Sequence, residues 1–205
     1  MGDSCALTPQ AEQWMTQINQ AMSGGHCEGM AVLAQMFHAG RRNPMDFGGP
    51  NAAGLMLMGN TALQREVAYW FALQAVEPTS QSRIKATPSR VVEMLRASFA
   101  ATATQSYTIA FFKPGPKEGH AVTPTGVRDG ANGRVDILVY DNNFPNEERA
   151  IEVDTRAETW RYQAAANPME AASLYEGTAM TETLQIVPLG QRLATHVCDF
   201  CGNYT

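Results

Sequence analysis

The chain has 205 residues, 44% hydrophobic and 17% charged, with a formal net charge of −5. That length and apolar content are enough for a buried core in one globular domain, or in two small lobes sharing a cleft. The acidic balance and the lack of any Lys/Arg run exclude a phosphate-binding stripe for nucleic acid, and no apolar stretch reaches the ~18 residues of a membrane span.

Residues 9–22 predict a first helix, with Trp14, Ile18 and Met22 at four-residue spacing, ended by Ser23-Gly24-Gly25. A second helix is expected from His26 or Cys27 to about His38, with Met30, Leu33, Ala34 and Phe37 as its buried stripe and Gly40 as its stop. Residues 41–59 read as a loop that shapes a cleft, together with the Pro114–Gly119 turn. A third helix follows over 61–76. Thr87 as N-cap and Pro88 at the first helical position announce a fourth, carrying Val91, Val92, Leu95 and Phe99.

The pattern then turns to strands: 106–112, 120–127, 135–140 and 150–153, with further strands near 159–162 and 183–187. Asp129-Gly130-Ala131-Asn132-Gly133 is a hairpin loop. Helices first and antiparallel strands second is an α+β pattern. The expected organisation is one domain over 1–205, with a mainly helical lobe at 1–104, a mainly β lobe at 105–190 and a tail at 191–205.

Three short islands carry the chemistry. The first, Gly25-His26-Cys27-Glu28-Gly29-Met30, sets a cysteine at the start of a helix. A thiolate is the reactive form of cysteine, and the positive end of a helix dipole with a nearby imidazolium stabilises it. The backbone N–H of Cys27 is then placed to donate to an oxyanion. A lone cysteine is more often a buried, inert one, so the reading depends on the other two islands. In the second, Gly119-His120-Ala121-Val122, His120 opens a strand and is a candidate general base. His26, adjacent to Cys27, His38, at the far end of the same helix, and His196 fit that role less well. In the third, Tyr140-Asp141-Asn142-Asn143, Asp141 ends the strand paired with that of His120 and can fix its tautomer. Asn142 and Asn143 are alternatives, and the same residues also make a turn. Gln20, seven positions before Cys27, is preferred over Asn19 and Gln17 as a side-chain oxyanion donor.

The ordered set Gln20, Cys27, His120 and Asp141 resembles the papain-like cysteine peptidase superfamily. It looks closest to the bacterial branch of bacteriocin leader-processing peptidases, which use Cys, His and Asp. Gly119–Val122 followed by Asp136–Asn143 is similar to the His-strand and Asp-strand of that branch, and the resemblance spans residues 15–155 in order. It implies a helical lobe carrying the Cys helix, an antiparallel β lobe carrying His and Asp, and hydrolysis of peptide bonds through a thioester acyl-enzyme. The chain departs from the family in three ways. It lacks the Cys-Gly-Ser/Ala-Cys-Trp/Tyr signature, its Gln-to-Cys spacing is one residue longer than papain's, and Glu28 brings negative charge next to the thiol.

Four cysteines are too few for a disulfide scaffold, and a pair among Cys5, Cys198 and Cys201 would leave Cys27 free. His196, Cys198 and Cys201 lack a second ligand pair for a closed zinc site, and only four residues follow Cys201 where a redox motif needs a helix. Asn203-Tyr204-Thr205 matches a glycosylation sequon. No cofactor or metal is expected. The expected partner is a peptide or protein substrate. The start, Met1-Gly2-Asp3-Ser4, lacks a secretory signal, so the expected location is the cytoplasm, or the cell surface or exterior if a signal peptide has been removed. Besides the peptidase, the same residues suit an amidase or acyl/amide transferase on a non-protein substrate, or a non-catalytic binding domain of the same fold.

Overall fold

Pro9 and Pro88 start helices for the same reason. Each follows a threonine whose hydroxyl accepts from the backbone N–H three residues on: Ala11 for Thr8 at 3.3 Å, and Arg90 for Thr87 at 3.4 Å. Each proline fills a position whose N–H lacks a helical partner in any sequence. The two helices are α1 (Pro9–Ser23) and α4 (Pro88–Ser98) of a computed structural model that describes residues 7–115, 118–164, 171 and 173–197. Cys5, Cys198, Cys201, the Asn203 sequon and part of the turn before Gly119 lie outside the described residues.

Between them run α2 (Cys27–His38) and α3 (Thr61–Leu73), the latter capped by Asn60 accepting from the Leu63 N–H at 3.1 Å. α2 is buried almost all round, not along a single stripe: Ala31, Val32, Leu33, Ala34 and Met36 are inside, whereas Met30 and Phe37 are only partly covered. The reason is that α2 lies between α3 and the sheet. Val32, Leu33 and Met36 pack with Leu63, Val67, Trp70 and Leu73 of α3. On the sheet side, the Thr123 hydroxyl donates to the Ala31 carbonyl at 2.8 Å.

Gly29 permits the approach of α2 to α3. A Cβ there would sit 2.1 Å from the Val67 carbonyl oxygen and 3.1 Å from the Phe71 nitrogen, both backbone atoms that cannot swing away. Gly29→Ala is therefore expected to destabilise the fold by about 3 kcal/mol, read as a drop in the chemical-denaturation midpoint.

The strands form one eight-stranded sheet: β1 (Ile84–Lys85), β2 (Tyr107–Phe112), β3 (Gly119–Asp129), β4 (Arg134–Tyr140), β5 (Arg149–Asp154), β6 (Thr159–Ala164), β7 (Ser173–Thr178) and β8 (Leu184–Pro188). Their order is β1-β8-β2-β3-β4-β5-β6-β7, and every neighbouring pair is antiparallel. β3 bulges between Pro124 and Gly126, where proline has no N–H for the ladder. The sheet curls on itself, because Phe111 of β2 meets Tyr175 of β7 at 5.1 Å between ring centroids. Val91, Val92 and Leu95 of α4 join the inner face of that curl with Ile109, Phe111, Val122, Ile137 and Ile151. So α4 belongs by packing to the sheet core. A short α5 (Leu189–Arg192) follows β8 and sends Leu189 into the α2–α3 core.

The fold is thus α+β, with helices packed on an antiparallel sheet. Among the described residues, no helix is long and apolar enough to cross a membrane. The 41–59 segment contains two short 3₁₀ turns, Pro44–Phe47 and Ala52–Gly54. Its Phe47 packs edge-on against Phe37, ring centroids 5.7 Å apart, near the C-terminal end of α2. A twelve-residue helix is about 18 Å long, so Phe47 sits near the end of α2 opposite Cys27.

Candidate active site

The local sequence explains how a thiol comes to the head of α2. Gly24 caps α1, and Gly25 follows at φ +143°, a conformation other residues adopt only with strain. The chain leaves α1 through this pair and α2 begins at Cys27. His26 occupies the N-cap without a side-chain hydrogen bond to the helix. The N–H groups of the first turn therefore have no side-chain cap and are available to an incoming oxygen. Cys27 is a free, half-buried thiol.

Strand registry supplies the histidine. Ile109 pairs with Val122 and Phe111 with His120, so His120 and Val122 point to the inner face with Phe111. Ala121 and Thr123 point the other way, toward α2. The Phe111 ring stands edge-on to the imidazole, with centroids 5.7 Å apart. Gly119 allows the tight approach beneath it, since a Cβ there would lie 2.6 Å from the Phe112 ring.

The aspartate follows from the next strand. Thr123 pairs with Tyr140 in the β3–β4 ladder, so continuing the register sets Asp141 opposite Val122 and diagonal to His120 on the same face. His120 Nε2 and Asp141 Oδ1 are 2.9 Å apart, and both side chains are buried, 1% and 0% exposed. Asp141 Oδ1 also accepts from the Asn143 backbone N–H at 2.9 Å, and Oδ2 accepts from the Tyr162 hydroxyl at 2.7 Å. The island makes a turn and meets His120 at once: the Phe144 N–H closes a turn on the Asp141 carbonyl at 2.9 Å while the side chain lies against the imidazole. Of Asp141, Asn142 and Asn143, it is the Asp141 side chain that meets His120, and Asn143 contributes its backbone N–H to the carboxylate.

Burial opposes charge on His120, but hydrogen bonds to Asp141 and Cys27, with the charges of both, outweigh it and lift the imidazole to about 9. For Asp141 burial again opposes charge, and the bonds from His120, Asn143 and Tyr162 prevail, holding the carboxyl below its ordinary range. With Nε2 committed to Asp141, Nδ1 is the ring nitrogen left for the thiol.

The structure brings together Cys27, His120 and Asp141. Gln20 lies on the exposed last turn of α1, and no hydrogen bond joins its side chain to those three. His26 and His38 are exposed, and His196 Nε2 is 3.0 Å from the Thr79 hydroxyl. Among the described residues, no cluster of three or more His, Cys, Asp or Glu side chains could hold a metal ion.

Glu28 acquires a partner that sequence reasoning missed. It is buried and ion-paired with Arg192 of α5, whose Nη2 also donates to the Thr108 hydroxyl at 3.1 Å. The charge next to the thiol is thereby neutralised inside the protein. Two further groups were missed, Tyr162 and Arg149. The alternation Trp160-Arg161-Tyr162, which sends both aromatic residues inward, was the available signal for Tyr162.

The chain matches no known protein-family profile, and neither a curated protein nor a solved structure was found to be similar to it.

Proposed function

We propose that this chain is a cysteine peptidase with a papain-like arrangement, cleaving peptide bonds through a thioester acyl-enzyme. The observation that carries the reading is the buried 2.9 Å His120–Asp141 pair, whose imidazole is also held in its charged form by Cys27 at the head of a buried helix. The Cys27 sulfur attacks the substrate carbonyl carbon as thiolate, with imidazolium beside it. Negative charge moves to the carbonyl oxygen, where the uncapped N–H groups of the first turn of α2 receive it. His120 passes its proton to the leaving amine, the C–N bond breaks and a thioester remains. Water then attacks the thioester carbon, His120 takes its proton, and the acid departs as the thiolate is restored. Asp141 keeps the imidazole in one tautomer and orientation throughout.

The test is intact-protein mass spectrometry after brief mixing with a panel of peptide esters, peptide amides and non-peptide amides. A mass increase of one acyl group on Cys27 with peptide substrates, absent in Cys27→Ala, is the expected result. Acylation by the non-peptide amides alone would move the function to an amidase or transferase. Hydrolysis that persists in Cys27→Ala would defeat the thiol mechanism.

A further inference from the structure

The Asp141 carboxylate is more completely held than orienting one imidazole requires. Oδ1 is shared by His120 Nε2 and the Asn143 N–H, and Oδ2 is taken by Tyr162 at 2.7 Å, in a site with no solvent exposure. Tyr162 arrives from β6, its ring held at 5.1 Å from Phe111. Its hydroxyl oxygen accepts from Arg149 Nε at 3.2 Å. Arg149 in turn lies over the Phe144 ring at 4.1 Å, pairs with Glu147 at 3.0 Å and donates to the Gln163 carbonyl. A guanidinium only donates and a carboxylate only accepts, so the single hydroxyl proton has one direction available, toward Asp141.

We propose that Tyr162, set by Arg149, is a positioning residue that locks the Asp141 carboxylate onto His120, and so governs the pH range over which the Cys27–His120 pair is active. The proposal rests on the thiol-hydrolase reading. Three elements converge on the carboxylate: β3 with His120, β5 with Arg149 and β6 with Tyr162. Tyr140, its neighbour on β4, and Cys27 beyond the imidazole also act on the pair, and Tyr175 of β7, paired in register with Tyr162, acts on Cys27. Each donor to the carboxylate favours its ionised form, and only the ionised form stabilises imidazolium. Removing the Tyr162 hydroxyl therefore weakens the hold on the charge and frees Oδ2 to rotate.

The experiment is Tyr162→Phe, which keeps the ring and its packing and deletes one oxygen. The rate of Cys27 alkylation by iodoacetamide and the kcat for an acylating peptide ester are both followed from pH 4 to 10. The expected result is a fall of about ten- to a hundredfold in kcat with KM little changed, and an acid limb of the alkylation profile that moves to higher pH. Arg149→Gln should move the limb in the same direction by less, and it serves as the readout if Tyr162→Phe does not fold. A lowered melting temperature with a superimposable pH profile would mean that the hydroxyl is structural only, and would overturn the proposal while leaving the thiol-hydrolase reading intact. A wild-type profile matching an ordinary thiol would overturn both.

Discussion

His120→Ala should slow iodoacetamide alkylation of Cys27 at pH 6 by one to two orders of magnitude. An ordinary thiol, with a pKa near 8.5, is only about 0.3% thiolate at that pH, whereas imidazolium beside the sulfur favours the charged form. The lower intrinsic nucleophilicity of a stabilised thiolate takes back part of the advantage, so the loss stays below the full ratio of thiolate fractions. The same residue makes stability depend on pH. The imidazole is raised from 6.5 to about 9 against the opposing effect of burial. Its contribution is then fully present below about 6.5 and fades as pH rises through 9, an amount on the order of 3 kcal/mol. Thermal melts of the wild type should fall across that window, and His120→Ala should lose that part of the slope. Equal alkylation rates in wild type and variant from pH 5 to 8 would show that the two side chains do not act as a pair.

Arg192→Met should cost about 3–5 kcal/mol of stability, because it strands the Glu28 carboxylate in the interior. The pair is 0% and 6% exposed, so water does not replace the lost cation. Glu28→Gln combined with Arg192→Met removes both charges and should recover much of the loss, since a neutral pair of similar volume avoids the uncompensated charge. The measurement is a double-mutant cycle on urea midpoints. A cycle with no coupling would show that the two charges contribute independently. Alkylation of Cys27 should also slow in Arg192→Met, because the unneutralised carboxylate on the adjacent residue repels thiolate.

Some features were legible because local chemistry encodes them. Thr87-Pro88 and Pro9 mark helix starts within a few residues of sequence, and the 129–133 loop joins two strands whose alternation is plain. The Cys27, His120 and Asp141 islands were legible because each sits at an element boundary, where glycines and turn residues fix the geometry. β1 went unread because it has two residues, and β7 because Ser173-Leu174-Tyr175-Glu176-Gly177-Thr178 mixes polar residues and glycine on a sheet edge. The partner of Glu28 was illegible for a different reason. It lies 164 positions away, and nothing local to either residue announces the pair. The buried stripe of α2 was misjudged because a helix covered on two sides loses the one-sided period on which such a reading depends.

The place of β8 ties the end of the chain to its beginning. This late strand is inserted between β1 and β2, near the middle of the early part of the sheet, and its following turn delivers Arg192 to Glu28. A nascent chain that has emerged only to residue 183 already holds Cys27, His120 and Asp141. It still lacks the β8 partner of β2 and the Arg192 partner of Glu28, the residue after Cys27. Residues 184–192 thus supply both the strand between β1 and β2 and the cation that pairs with the carboxylate next to Cys27, so the last part of the chain completes the surroundings of its first island.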